Sequence, residues 1–440
     1  MDNPKSSILT ELSWRGLIDQ QTHIEELDAL LAGESVTLYC GFDPSNNSLT
    51  IGNLVPMMNL VFFHRHGHKP IAVVGGATGR IGDPGGKSEE RNLLSDDQLA
   101  HNLACIRAQM EQILARAVQM HPETLPEGRG QHAITLVNNA DWMSGWTYLD
   151  FLRDVGKLFR VNTMMAKDSV RTRLENREQG ISYTEFSYML IQAFDFLHLF
   201  EHHGCNLQVG GSDQWGNITA GIDLIRKKLG QPAYGVTFPL LTNADGSKIG
   251  KTEKGAVWLD PERTSPFLFF QYWINVGDAD VIRMLKTFTF LTEQEVAACA
   301  AELEAGQNRG QLQRTLAWEV TALIHGPEEA DKAVRTSKML FGESIEGLSD
   351  RELREIFADV PSATLPRERL TQGLDLIDLM IDAGAETSRG AARRLLKAGG
   401  VYLNNARQTD TLTVTEAHLA TETTLVLRKG KKDYLLVQFA

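Results

Sequence analysis

One local pattern recurs along this chain: an apolar run, a turn of glycine or small polar residues, then the start of helical spacing. Val36 to Phe42 reads as a buried strand that breaks at Asp43-Pro44-Ser45-Asn46-Asn47-Ser48 before helical periodicity begins near Ile51. Ser48 or Thr50 is placed to cap that helix, whose unpaired N–H groups then face whatever sits at the carboxyl end of the strand. Pro70 to Val74 is a second strand, followed by the turn Gly75-Gly76-Ala77-Thr78-Gly79. Gln208-Val209-Gly210-Gly211-Ser212-Asp213-Gln214-Trp215-Gly216-Asn217 is again a strand end, glycines and a helix start. Repeated βα units predict an α/β fold, and phosphate is the natural guest of such turns. An ordinary βα turn with a capping residue has the same appearance, so no single unit decides the matter.

Residues 241–252 add charge to this frame. Lys248 and Lys251 supply point charges, Ser247 and Thr252 rotatable donors, and Gly246 and Gly250 hinges, a combination that suits a polyphosphate leaving group. Lys87 and Arg91 lie on a second glycine-rich loop beginning at Asp83-Pro84. Tyr188, Gln192 and Asp195 follow i, i+4, i+7 spacing, so one face of a helix over roughly 183–200 carries a phenol, an amide and a carboxylate. Phe186, Leu190, Phe194, Phe196 and Leu197 cover its other faces, which favours a buried polar pocket over a solvent-facing stripe.

A chain of 440 residues with 42% apolar residues should hold two to four domains with real cores. Cys40, Cys105, Cys205 and Cys299 are far apart and make neither a disulfide framework nor a metal-ligand spacing, so a reduced cytoplasm is expected and no tightly bound metal. No export signal and no run of about 18 apolar residues is present, so no membrane is expected. His64, His66 and His68 cluster at a helix end before Gly67 and Pro70, where they are expected to be exposed and not to bind metal. The net charge is −12, yet residues 385–440 hold nine Lys/Arg against five Asp/Glu. An acidic body with a basic end points to a local nucleic-acid surface.

Tyr39-Cys40-Gly41-Phe42-Asp43-Pro44, Gly79 through Asp83-Pro84, Thr184-Glu185-Phe186-Ser187-Tyr188, Gly210 through Asn217 and Lys248 through Thr252 together resemble the bacterial tyrosyl-tRNA synthetases, in that family's order and over nearly the whole chain. The resemblance implies a class I, Rossmann-like parallel sheet in residues 1–240, with a connective insertion near 95–200 that forms a homodimer interface. It implies a mobile catalytic loop over 241–260 and a helical anticodon-binding domain over 261–345. Residues 346–372, rich in Asp, Glu, Arg and Pro, are the expected linker. Ser388-Arg389-Gly390-Ala391-Ala392-Arg393-Arg394, followed by Gly399-Gly400-Val401-Tyr402-Leu403-Asn404-Asn405, is similar to the S4-type module, a helix pair on a short sheet, expected over 373–440. Its RNA contacts would be Arg389, Arg393, Arg394 and Lys397.

The implied partners are L-tyrosine, ATP with Mg²⁺, and tRNA(Tyr). In amino-acid activation the substrate carboxylate is itself the nucleophile at the α-phosphorus, so no Ser/His/Asp triad is needed. The family pattern puts Asp83, Tyr188, Gln192 and Gln214 at the tyrosine ammonium, and Tyr39 and Asp195 at its phenol. It puts Asp43, Ser45, Gly52, Gly211, Asp213 and Lys251 at ATP, and Lys87, Arg91, Lys248, Lys251 and Thr252 at the departing pyrophosphate. The chain departs from the pattern at the helix start. Thr50-Ile51-Gly52-Asn53 stands where most members carry His-Ile-Gly-His; it is similar to the tryptophanyl-tRNA synthetases, and Thr50 and Asn53 still offer donors. An active tyrosine enzyme, a synthetase for tryptophan or another aromatic, and a silent RNA-binding paralogue are the three readings. Tyr39 with Asp195 disfavours the second, and the paired lysines disfavour the third.

Overall fold

The computed structural model describes residues 4–83, 94–122, 133–167, 170–171, 181–244, 246, 249–252, 255–307, 310–340, 345, 348–357, 360–430 and 433–440. The chain forms two compact units, one of residues 1–264 with 272–326 and one of residues 265–271 with 327–440.

The first unit is built on a six-stranded sheet of β1 (Gln20–Gln21), β2 (Thr37–Phe42), β3 (Lys69–Val74), β4 (Thr135–Asn138), β5 (Cys205–Gly211) and β6 (Tyr234–Phe238), in the order β1-β6-β5-β2-β3-β4. Edge strand β1 is antiparallel to β6, and the other pairings are parallel. Helices over both faces explain why the inner strands read as nearly unbroken apolar runs. The Ile51–Arg65 helix packs along β2 and β3. The Tyr183–His203 and Trp215–Leu229 helices pack on each other and on the side chains of Tyr39, Ile71 and Val73. The chain runs from β2 outward to β3 and β4, then returns to β5 and β6 on the other side of β2. The crevice beyond the carboxyl ends of β2 and β5 is therefore the topological switch point, where open α/β sheets bind ligands.

The histidine cluster is not exposed. His64, His66 and His68 are all buried, because the Ser7–Arg15 helix and the start of β2 cover that helix end. His66 bonds to Ser7 Oγ at 2.7 Å and to Glu11 at 2.5 Å, and His68 Nδ1 accepts from the N–H of Val36 at 3.2 Å. Burial works to raise the Glu11 carboxyl, but the His66 hydrogen bond and the Arg15 charge outweigh it and bring it to about 2. Arg15 also donates to the carbonyls of Lys286, Thr289 and Leu291 at 2.7, 3.1 and 2.9 Å, tying the N-terminal helix to the helical part of this unit.

The described residues of 261–345 are mostly helical, in the elements Pro266–Ile274, Asp278–Phe288, Glu293–Glu304, Gln311–His325 and Pro327–Leu340. They are shared between the two units: residues 272–326 belong to the first and 327–340 to the second. Ahead of them, β7 (Lys251–Thr252) and β8 (Gly255–Ala256) form a short hairpin.

The second unit carries β9 (Ser362–Leu365), β10 (Leu374–Asp375), β11 (Val401–Leu403), β12 (Ala406–Gln408), β13 (Thr413–Val414), β14 (Thr424–Lys429) and β15 (Asp433–Phe439). Five of them make a sheet in the order β12-β11-β14-β15-β9, while β10 pairs with β13. The helix pair Leu376–Asp382 and Arg389–Lys397 buries Leu376, Leu379, Met380, Ala392 and Leu396 with Leu403, Leu425, Leu427 and Val437 of the sheet. Segment 346–372 is not a linker: its Asp350–Ile356 helix and β9 are parts of this unit, β9 pairing parallel with β15. Leu353 and Phe357 bury against Val426 and Leu436 on the second face of the sheet. The charges that suggest a linker have structural partners. Asp350 accepts the hydroxyls of Thr423 and Thr424 at 3.0 and 3.1 Å, and Ser349 shares a capping box with Glu352.

Candidate active site

A cavity of about 300 Å³ opens at the switch point. Tyr39, Asp43, Ser45, Gly52, Asn53, Asp83, Tyr188, Gln192, Asp195, Gly211, Asp213 and Gln214 all line it. Twelve positions chosen from sequence therefore converge on one space, brought there by the ends of β2 and β5, the first turn after β2 and one face of the Tyr183–His203 helix.

The floor is polar and buried. Asp195 is buried, and its two oxygens accept from Trp142 Nε1 at 2.8 Å and Asn139 Nδ2 at 3.0 Å. Burial pushes its carboxyl up to about 7, against the pull of those two donors and with a smaller push from Asp43. Tyr39 is buried beside Phe196, and its hydroxyl has no hydrogen-bond partner among the described residues. Gln208 Oε1, also lining the cavity, is likewise unpartnered. Orphaned buried polar atoms are costly, so two of them in one cavity mark a place where a ligand completes the hydrogen bonding. Burial also drives the phenols of Tyr39 and Tyr188 well above their ordinary value, so both are neutral hydroxyls.

Above the floor two hydrogen-bonded rows meet. In one, Tyr188 donates to Asp43 Oδ2 at 2.9 Å, Thr78 donates to Asp43 Oδ1 at 2.7 Å, and Asn139 Nδ2 donates to Thr78 Oγ1 at 3.0 Å. Gly75 makes this row possible: a Cβ there would stand 2.3 Å from both Asp43 Oδ1 and Thr78 Oγ1. In the other row, Gln214 donates to Asp83 at 2.6 Å, Gln192 donates to Gln214 Oε1 at 3.1 Å, and Asn217 donates to Gln192 Oε1 at 2.9 Å. The cavity thus offers two carboxylates and several oriented oxygens to a cation at one end. Glycine-rich strand ends and a helix N-terminus lie at the other.

Residues 31–342 match the family described as tRNA synthetases class I (W and Y), and residues 352–437 match the tyrosine–tRNA ligase SYY-like C-terminal domain. The chain is 49% identical over 435 residues to a tyrosine–tRNA ligase of Roseiflexus castenholzii, covering 98% of this chain and 99% of that protein. It is 45% identical over 436 residues to a tyrosine–tRNA ligase of Staphylococcus carnosus, covering 99% of each. The chain belongs to the tyrosine–tRNA ligase family. A solved relative of this family, the C-terminally truncated mitochondrial tyrosyl-tRNA synthetase of Aspergillus nidulans, superposes with a TM-score of 0.68 at 32% identity over 76% of this chain and 94% of that one.

Set against that family, the helix start differs from expectation in one respect. Thr50 is the N-cap but does not line the cavity; Asn53 does. The hairpin that follows the lysine loop is fastened to this turn, with Ile51 N–H on Val257 O at 3.3 Å and Leu259 N–H on Leu49 O at 2.9 Å. Gly250 has φ 75°, and a Cβ on it would stand 3.0 Å from Ile51 Cβ, so glycine lets the loop base close on the helix. Lys87, Arg91 and Lys248 lie outside the described residues, as do the side chains of Lys251 and Thr252. In the second unit, Arg389, Arg393, Arg394 and Lys397 are exposed along one short helix, with Arg389 paired to Asp378 at 2.8 Å.

Thr78, Asn139, Trp142, Gln208 and Asn217 belong to the site without having been singled out by sequence. A usable signal existed for one: Asn138 ends β4 and Asn139 directly follows it, and the ends of parallel strands are where a switch-point site collects its side chains. Trp142 had none, because an indole is ordinarily core.

Proposed function

We propose that this chain activates L-tyrosine with ATP, releasing pyrophosphate, and then transfers the tyrosyl group from its adenylate to the 3′ end of tRNA(Tyr). The observation that carries the reading is the floor of the cavity, where an unpartnered phenol, Tyr39, shares a buried space with the Asp195 carboxyl. A substrate phenol donates to one and accepts from the other. A site built this way rejects phenylalanine because its own polar groups would be left unpaired; tyrosine against phenylalanine in a tyrosyl-tRNA synthetase is the standard worked instance of that rule.

The substrate ammonium is then held by Asp83 and by the oxygens of Tyr188, Gln192 and Gln214. Because Tyr188 spends its proton on Asp43, its lone pair is free to accept. This fixes the substrate carboxylate near the carboxyl ends of β2 and β5. It attacks the α-phosphorus of ATP directly, one P–O bond forming as the bond to pyrophosphate breaks. ATP enters as its Mg²⁺ complex, the ion offsetting phosphate charge. Asp43, Ser45, Gly52, Gly211 and Asp213 position the nucleotide. Asn53, with Lys87, Arg91, Lys248, Lys251 and Thr252, meets the charge that develops on pyrophosphate, and Thr50 orients Asn53. A terminal ribose hydroxyl of the tRNA afterwards attacks the acyl carbon and AMP leaves. Arg389, Arg393, Arg394 and Lys397 meet RNA phosphates.

The reading extends to a cytoplasmic homodimer. All four cysteines are free thiols, and no helix among the described residues is long and apolar enough to cross a membrane. Tyr148, Leu149, Val161, Met165 and Tyr183 are large apolar side chains left exposed within the expected insertion, which supports a subunit interface there. Pyrophosphate exchange with tyrosine, tryptophan and phenylalanine tests the central claim. Exchange dependent on tyrosine alone is expected, whereas tryptophan-dependent exchange, or none, would sink it.

A further inference from the structure

The side chain that fixes the pocket floor is itself held by a stack of rings. Trp142 sits in a four-residue helix, Ala140–Met143, which is tied to the end of β4 by the Ala140 N–H on Asn138 Oδ1 at 3.0 Å and packs part-buried against the core. Two side-chain partners then fix how the indole lies. At its edge, Nε1–H donates to Asp195 Oδ1 at 2.8 Å. On its face lies the His198 imidazole, ring centroids 4.6 Å apart and planes 13° from parallel. The stack goes on: His202 lies over His198 at 4.2 Å and 17°. Asp195, His198 and His202 are spaced i, i+3, i+7 on the Tyr183–His203 helix, so one helical face presents both the carboxylate and the rings that grip the indole bonded to it.

We propose that His198 is a positioning residue for tyrosine selection, clamping Trp142 flat so that its indole N–H keeps the Asp195 carboxylate aimed at the substrate phenol. The inference rests on the ligase reading of this cavity. Burial, with His202 and His203 alongside, pushes His198 down to about 4, so near neutral pH the clamp is an uncharged flat ring. Parallel offset rings attract beyond their buried area. The Trp142 donor occupies one lone-pair direction of Oδ1 and leaves the others to the substrate. A floor that recognises one hydroxyl tolerates little looseness, so losing the clamp should blur selection before it harms the chemistry.

The test measures tyrosine- and phenylalanine-dependent pyrophosphate exchange for the full-length parent and for His198→Ala, His198→Gln and His198→Phe, with thermal unfolding alongside. His198→Ala and His198→Gln should each raise KM for tyrosine, and lower the tyrosine-to-phenylalanine ratio of kcat/KM, by about two- to tenfold. kcat and KM for ATP should hold. His198→Phe, which keeps a flat ring, should restore the parental ratio. A double-mutant cycle with Trp142→Phe, which removes the N–H, then asks whether His198 acts through that bond: in the Trp142→Phe background, His198→Ala should change selection no further. An unchanged ratio in folded His198→Ala and His198→Gln, or full additivity with Trp142→Phe, would overturn the proposal while leaving the ligase reading intact. A parent with no tyrosine-dependent exchange would overturn both.

Discussion

Asn53 Oδ1 accepts two hydrogen bonds from Thr50, one from its backbone N–H and one from its hydroxyl, both at 3.0 Å. The hydroxyl proton of Thr50 is thereby spent, and with Oδ1 held by Thr50 the amide Nδ2 is the donor that Asn53 has left to offer at the cavity it lines. Thr50 and Asn53 are therefore not equivalent donors: one orients the other.

Asn53→Ala should lower the rate of tyrosyl-adenylate formation more than it raises the dissociation constant of ATP, since the donor acts on charge that appears as pyrophosphate leaves. The ceiling for one such donor is about 2.7–4 kcal/mol, and a site open to water should show less. Thr50→Ala should cost about 1 kcal/mol of stability as a lost cap together with part of the rate, and Thr50→Ser should recover both. Rapid-quench kinetics beside thermal melts separates the two roles: melts shifted with parental rates in both alanine variants would leave this turn purely structural.

Tyr39→Phe removes an unpartnered buried hydroxyl, so the free protein should be as stable as the parent or more stable by about 1 kcal/mol. The same change should erode selection of tyrosine over phenylalanine, as should Asp195→Ala. Calorimetry and exchange kinetics on one preparation are enough. A destabilised Tyr39→Phe protein with parental selection is the contrary result.

The raised Asp195 carboxyl sets a pH dependence whose sign is fixed. Ionised Asp195 is the better acceptor for the substrate hydroxyl, so tyrosine affinity should strengthen as pH rises through about 7, by about tenfold between roughly pH 6 and pH 7.5. Phenylalanine has no hydroxyl, and its weak binding should stay flat over that range. Without ligand, the same group makes a stability contribution that is fully present below the ordinary aspartate range and lost as pH rises to about 7. Equilibrium dialysis across this window decides the point, and parallel curves for the two amino acids would remove Asp195 from recognition.

Removing residues 345–440 should leave tyrosyl-adenylate formation nearly intact and weaken aminoacylation, with a deficit that depends on ionic strength. The cut belongs at 345 because Ile345, Leu353 and Phe357 pack on Val426 and Leu436, so a cut at 373 would strand β9 and an apolar helix without their sheet. Loss of adenylate formation in a folded truncation would contradict the modular assignment.

Most of the first unit could be read from the chain because its strands are buried on both faces and its turns sit at strand ends. Ile51 as the first helical residue and the Tyr188–Gln192–Asp195 stripe follow from spacing alone. The histidines at 64, 66 and 68 did not follow, since what covers them is a helix some fifty residues upstream, and composition cannot show who the neighbour is. The charged segment 346–372 misled for a related reason: capping carboxylates and solvent-facing carboxylates look alike in sequence. The part played by Thr78 and Asn139 could not be read from their positions alone, because it lies in joining Asp43 to Asp195, and a bridge shows only once both banks are in place.

The row of amides beside the cavity has a sense of direction, and the carboxylates at its end set it: Gln214 Nε2 donates to Asp83 at 2.6 Å and, at 3.4 Å, to Asp213. Asp83 can only accept, so Gln214 must present its nitrogen there and its oxygen to Gln192 and Asn217. Gln192 in turn must show its oxygen to Asn217. Three side chains that could each be rotated by half a turn at no local cost are thus held in one polarity by the carboxylates at the end of the row. Neutralising Asp83 would remove more than one contact, because the shorter of the two bonds that hold the row in this sense would go with it and the reversed arrangement would cost less. On the proposed reading, a pocket that meets the tyrosine ammonium would then spend part of its time facing it with donors.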